Sequence, residues 1–113
     1  MLNDSHQLDH AFAALADPLR RGMLARLSRG PASVSELAAP LSVSLPAVLQ
    51  HLKALESSGL VASEKKGRVR TVRLQGDALA AAESWLTQRR KEWEARIDRF
   101  EDHLRNIQTE AKA

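Results

Sequence analysis

The final third of the chain constrains its shape most. Residues 77–107, "DALAAAESWLTQRRKEWEARIDRFEDHLRNI", contain no glycine and no proline. Leu79, Ala82, Leu86, Trp93, Ile97, Phe100, Leu104 and Ile107 recur there at spacings of three, four and seven, which is one stripe of a helix. A helix over 77–107 would be roughly 45 Å long at 1.5 Å per residue. A compact domain the size of this 113-residue chain has a radius of gyration of only about 13 Å. Such a helix should overhang any core the rest of the chain can build, and its stripe is too apolar to leave wet. The expectation is a homodimer. The terminal segment 77–108, through Leu86, Trp93, Ile97, Phe100 and Leu104, would pack on its partner and on an N-terminal helix presenting Leu8 and Phe12. Arg90 interrupts the stripe, so globular packing is expected rather than an uninterrupted coiled coil.

Ahead of that helix, the punctuation is dense. Leu8, Phe12 and Leu15 mark one face of a short helix. In "DPLRRGMLARLSRG", Asp17 is an N-cap, Pro18 suits the first turn, Leu19, Met23 and Leu27 form an inner face, and Gly30 stands where a C′ glycine belongs. Ser33 and Glu36 have capping-box spacing, and Pro40 ends the short helix they start. Ser42 or Ser44 can cap the next helix, with Pro46 in its first turn and Gly59 as its stop. At 100° per residue, Leu45, Val48, Leu52 and Leu55 share one face, while Pro46, Gln50, Lys53 and Ser57 take the opposite one. "LVASEKKGRVRTVRL" then reads as a hairpin turning around Lys66 and Gly67. The fold class is mainly α with a small β-hairpin (α+β), in the order α-α-α-α-β-β-α. It reads as one domain over residues 1–113, with segments 33–58, 60–75 and 77–108 as its parts.

Composition narrows the function. No apolar run approaches the ~18 residues of a membrane span, and "MLNDSHQLDH" lacks a signal peptide's apolar region, so a cytoplasmic protein without membrane contact is expected. The absence of cysteine rules out disulfides, thiolate metal sites and cysteine nucleophiles. No nucleophile stands with a base, and no phosphate-binding glycine loop or cofactor motif is present, so neither an enzyme nor a cofactor is expected. The net charge of +3 is unevenly spread. Residues 44–76 hold Lys53, Lys65, Lys66, Arg68, Arg70 and Arg73 against Glu56 and Glu64, an excess of 6 − 2 = +4. A local excess of this kind fits a positioned anionic partner, and the plainer alternative is a solvated charged hairpin.

Two short helices joined by a tight connection and followed by a two-stranded wing make a winged helix-turn-helix. The helix at about 34–39 braces, and the helix at about 45–57 enters the major groove of double-stranded DNA. Gln50 can bond adenine bidentately, and Lys53 can reach guanine or a phosphate. Wing cations Lys65, Lys66, Arg68 and Arg70 would meet phosphates or a minor groove. His51, near the apolar edge, reads as a packing or phosphate-contact residue. Ser42, at the head of the helix, joins the DNA-binding candidates.

"LADPLRRGML", "PAVLQHLKALESSGLV" and "GRVRTVRL", in this order and spacing, resemble the ArsR/SmtB family of bacterial transcriptional repressors over roughly residues 8–105. The resemblance implies that Ser44, Leu45, Pro46, Ala47, Leu49 and Gln50 lie at the DNA-reading end of the recognition helix, and that a dimer binds a palindromic operator. Many relatives carry a polar residue at Leu45 and a serine at Leu49. Neither leucine can hydrogen-bond. Leu49 lies on the flank of the apolar face, where burial is favoured over contact with a thymine methyl. Family members that sense metals use cysteines before the turn, where this chain has Ala38, Ala39 and Pro40. A second family site uses Asp, His and Glu on the last helix, and Asp98, Asp102 and His103 do not complete it. This chain thus resembles the branch without the cysteine site, and no metal is expected. The alternatives are a winged helix used as a protein-interaction module, and a metal sensor built on His6, His10 and His103. An effector, whether a small molecule or a protein, is left open.

Overall fold

The computed structural model describes residues 4–112. It falls into two compact units divided between Ala82 and Glu83. The elements are α1 (Asp4–Leu15), α2 (Pro18–Leu27), β1 (Ala32–Ser33), α3 (Val34–Ala38), α4 (Leu45–Ser57), β2 (Val61–Lys66), β3 (Val69–Leu74) and α5 (Gly76–Lys112). The fold is mainly helical with a small antiparallel sheet, as the residue pattern predicts.

Local signals act where they stand in the sequence. Asp17 caps α2 by accepting the Arg20 amide at 3.0 Å, with Pro18 in the first turn. Ser33 and Glu36 form the reciprocal capping box of α3: the Glu36 amide donates to Ser33 Oγ at 3.1 Å, and the Ser33 amide to Glu36 Oε1 at 3.3 Å. Gly30, at φ 136°, lies one residue later than expected, because the C-cap of α2 is Ser28.

The sheet adds a strand that residue spacing does not announce. Its order is β1-β3-β2, with Ala32 opposite Val72 and Ser33 opposite Thr71. Two residues carry no period, so β1 exists only through its pairing with β3. The wing is thereby anchored to the start of α3.

The core of the first unit gathers Met23, Leu24, Leu27, Leu37, Val48, Leu52, Leu55, Leu60, Val61 and Val72. Two expected faces are shifted. α1 buries Ala11 and Ala14, while Leu8, Phe12 and Leu15 are only half-buried. Leu45, placed with the apolar face of α4, is exposed. The second unit is the rest of α5, which runs to Lys112 rather than stopping near 107. Leu86, Trp93, Ile97, Phe100, Leu104 and Ile107 are all exposed along it.

Candidate nucleic-acid interface

α4 is fixed at both ends. Ser44, not Ser42, is its cap: Ser44 Oγ accepts the Ala47 amide at 3.3 Å, and Pro46 occupies the first turn. At the other end Gly59 adopts φ 79°. Its amide reaches the Glu56 carbonyl at 3.0 Å, and the Leu60 amide reaches that of Leu55 at 3.0 Å, a Schellman termination. Val48, Leu52 and Leu55 anchor the helix in the core. The outer face is thus carried by a helix that is capped at both ends and packed along its inner face.

That face carries Pro46, Gln50, Lys53 and Ser57, all exposed, with Ala47 and Ala54 half-buried. The small alanines leave room for close approach. Leu49 is 45% exposed and Leu45 54%, which overturns the expectation that Leu49 is buried. On a 100° wheel Leu49 sits about a quarter turn from the buried centre. Among the described residues, none covers that flank.

His51 departs from the DNA-facing set. It is half-buried, and its Nδ1 accepts a hydrogen bond from Arg20 Nη1 at 3.3 Å. Asp17 Oδ2 stands 3.9 Å from the same nitrogen. Arg20 also donates through Nε to the Ala14 carbonyl at 2.8 Å and through Nη2 to that of Ala13 at 3.0 Å. His51 thus joins α4 to the end of α1 and the start of α2. Of its two sequence-level readings, packing is the one this geometry favours.

In the wing, β2 and β3 pair from Val61 opposite Leu74 to Lys66 opposite Val69. The chain reverses at Gly67 and Arg68, with Gly67 at φ 62°, so the turn falls one residue later than expected. Lys65, Lys66, Arg68 and Arg70 are all exposed. Arg70 Nη1 donates to Ser63 Oγ at 2.9 Å, and the Ser63 hydroxyl donates to Glu56 Oε1. This relay ties the wing to the last turn of α4.

A groove of about 530 Å³ brings these parts together. Leu45 and Leu49 of α4 form one side, and Lys65, Arg68, Val69 and Arg70 of the wing the other, with residues 33–35 at its end. Val69, 53% exposed, escaped the sequence reading because its strand alternation gave no reason to place it in a binding surface. His6 and His10 line a separate surface hollow of about 310 Å³ with Glu56, Ser57, Ser58 and Gly59. Among the described residues, no three His, Cys, Asp or Glu side chains are grouped to hold a metal ion. Nor, among those residues, is any helix long and apolar enough to cross a membrane.

Residues 15–64 match the family described as a helix-turn-helix domain. The HTH-type transcriptional regulator Rv2034 of Mycobacterium tuberculosis is 48% identical over 73 residues, covering 65% of this chain and 68% of that protein. The crystal structure of an ArsR family transcriptional regulator superposes with a TM-score of 0.78 at 47% identity, over 83% of this chain and 97% of the other. The homodimeric winged helix-turn-helix DNA-binding domain of Mb0332 from Mycobacterium bovis superposes at 0.61 with 27% identity, over 74% and 79%. With its capped recognition helix and basic wing, this chain belongs to the ArsR/SmtB family of winged helix-turn-helix transcriptional regulators, which are DNA-binding proteins and not enzymes.

Proposed function

We propose that the chain acts in the cytoplasm as a homodimeric repressor that binds a palindromic operator in double-stranded DNA. Segment 33–58 reads the DNA, segment 60–75 grips its backbone, and segment 77–108 joins the two protomers. One observation carries this reading. Leu45 and Leu49 at the start of α4 and wing cations Lys65, Arg68 and Arg70 line the same groove, which supports a single ligand lying against both the recognition helix and the wing. Gln50 and Lys53 then supply hydrogen bonds to base edges from the exposed face of α4, with Ser42, Ser44, Pro46 and Ala47 at the helix head against the DNA. Lys66 adds a backbone contact at the wing tip. The dimer is supported by the exposed stripe of α5 and by the homodimeric state of the Mb0332 domain. Two-fold symmetry would set the recognition helices about 34 Å apart, one turn of the duplex. A chain without cysteine lacks the soft ligands that thiophilic metals need, so arsenite or cadmium should leave the DNA bound.

The test is selection of duplexes from a random pool, followed by footprinting on the gene's own upstream region. The expected result is an enriched palindrome protected on two half-sites. Gln50→Ala should cost about 1–3 kcal/mol on that sequence and relax its preference. Arg68→Ala should weaken binding to all duplexes alike and reduce the salt slope by about 0.9. An unchanged preferred sequence in Gln50→Ala would show that another face reads the DNA.

A further inference from the structure

We propose that Leu45 and Leu49 form an apolar strip that recognises the 5-methyl groups of thymines in the operator, an inference that rests on the DNA-reading role of α4. The two side chains lie one helical turn apart, and both are exposed at the end of α4 that faces the wing. They are not spill-over from the core, since Val48, Leu52 and Leu55 already anchor the helix with at most 4% of their surface exposed. Two solvent-exposed leucines lining one groove with three cations are a poor arrangement for solubility, and a good one for a ligand that is anionic at its rim and apolar at one point inside.

Duplex DNA has that character. Lys65, Arg68 and Arg70 match its phosphates. In the major groove the only apolar group on any base edge is the thymine C5-methyl. A leucine has neither donor nor acceptor, so it can gain from that methyl alone. Opposite a cytosine, the same side chain would strip water from the N4 amino group without replacing the hydrogen bond. Attraction to thymine and rejection of cytosine therefore act in the same direction. Positions 45 and 49 are separated by about 6 Å along the helix axis, close to two steps of 3.4 Å along a DNA strand. Each half-site should then carry two thymine methyls within about two base steps of each other, beside the base pair read by Gln50.

The probe is the duplex that the wild-type protein enriches from a random pool, resynthesised with single thymines replaced by deoxyuridine, which lacks only the methyl. The expected loss is roughly fourfold at each of two positions per half-site, the effect of one methyl-sized apolar contact. Leu45→Ala and Leu49→Ala keep the helix, because both side chains are exposed and alanine is the best helix former. Each should bind the thymine duplex more weakly, and each should become indifferent to the methyl at its own position while staying sensitive at the other. Methyl removal that costs less than about 1.5-fold at every thymine would overturn the inference and leave the reading role of α4 intact. So would an undiminished loss in the Leu45→Ala, Leu49→Ala double variant. If no sequence is enriched at all, the reading role of α4 falls, and this inference with it.

Discussion

Lys65 of β2 stands directly opposite Arg70 of β3 in the wing. In an antiparallel pair, directly opposed residues share a face, and like charges so placed destabilise the sheet. Arg70 is partly held by its bond to Ser63, but among the described residues no ion pair is made by Lys65. The arrangement makes sense if a polyanion fills the space between the two cations. Lys65→Thr should therefore raise stability by about 0.2–1 kcal/mol in urea unfolding. The same change should weaken binding to any duplex and lower the salt slope by about 0.9. Lower stability together with unchanged binding would show that Lys65 serves the fold.

The ends of α4 set how firmly it is presented. Ser44→Ala removes the acceptor for the Ala47 amide and should cost about 1 kcal/mol. Gly59→Ala tests a different cause. A Cβ there would meet the Ala78 Cβ at 3.6 Å, an ordinary contact, so space is not the obstacle. The obstacle is φ 79°, which costs an L-residue about 1–2 kcal/mol. Gly59→Asn, which tolerates this region better, should lose less than Gly59→Ala in the same denaturant titration. Equal losses would point to packing rather than backbone conformation.

These helix ends are readable from sequence because their causes are local: a serine three residues before an amide, a glycine one residue past the C-cap. What is not readable depends on partners distant in the chain. β1 has two residues and exists because β3 lies beside it. Leu49 sits on the flank of a helical wheel, where periodicity is indifferent, and Leu45 shares the apolar face but stands at the first residue of α4, where periodicity says nothing of which neighbours reach it. Only the neighbouring elements decide whether a flank is covered. α1 shows a related limit, since Ala11 and Ala14 are small enough to let the helix approach closely and its larger residues stay at the rim. α5 ran past its last apolar marker because 108–112 contain no helix breaker to end it.

Two carboxylates give the fold an acid limb. The Asp17 carboxyl is held below its ordinary range, first by the Arg20 amide it accepts, then by His51 and the Arg20 charge, with partial burial opposing. Glu36 is lowered first by the Ser33 amide, then by the Ser33 hydroxyl, with Arg26 adding a smaller share. For both, the folded-state pKa lies below the unfolded one. Their stabilisation is thus complete above the unfolded pKa and is lost as pH falls through the folded value. Asp17→Asn and Glu36→Gln keep cap acceptors but cannot ionise. The double variant should melt below wild type near pH 7 and converge with it on acidification below the ordinary carboxylate range. Parallel melting curves across that range would assign the acid limb to other groups.

The last prediction concerns the stripe on α5. Trp93, Ile97, Phe100, Leu104 and Ile107 follow one another at four, three, four and three residues, and all are exposed. A single helix gains little from such a stripe, since an isolated helix is marginal in water and its polar pairs, such as Arg89 with Glu92 and Arg90 with Glu94, contribute only tenths of a kcal/mol each. Burying five large apolar side chains against a second copy contributes far more, at about 1.5–3 kcal/mol for each fully covered residue before the costs of association. Arg90 stands where the spacing asks for an apolar residue between Leu86 and Trp93, so the seam should be tightest from Trp93 onward. Sedimentation equilibrium at micromolar concentration should give a dimer, and thermal melting should move upward with protein concentration, as mass action requires. Trp93→Ala with Phe100→Ala should shift the equilibrium to monomer and remove the concentration dependence. Because affinity for a two-fold operator draws on both half-sites, the same variant should lose far more affinity for the palindrome than for an isolated half-site. A wild-type monomer, or a double variant as dimeric as wild type, would place the seam elsewhere.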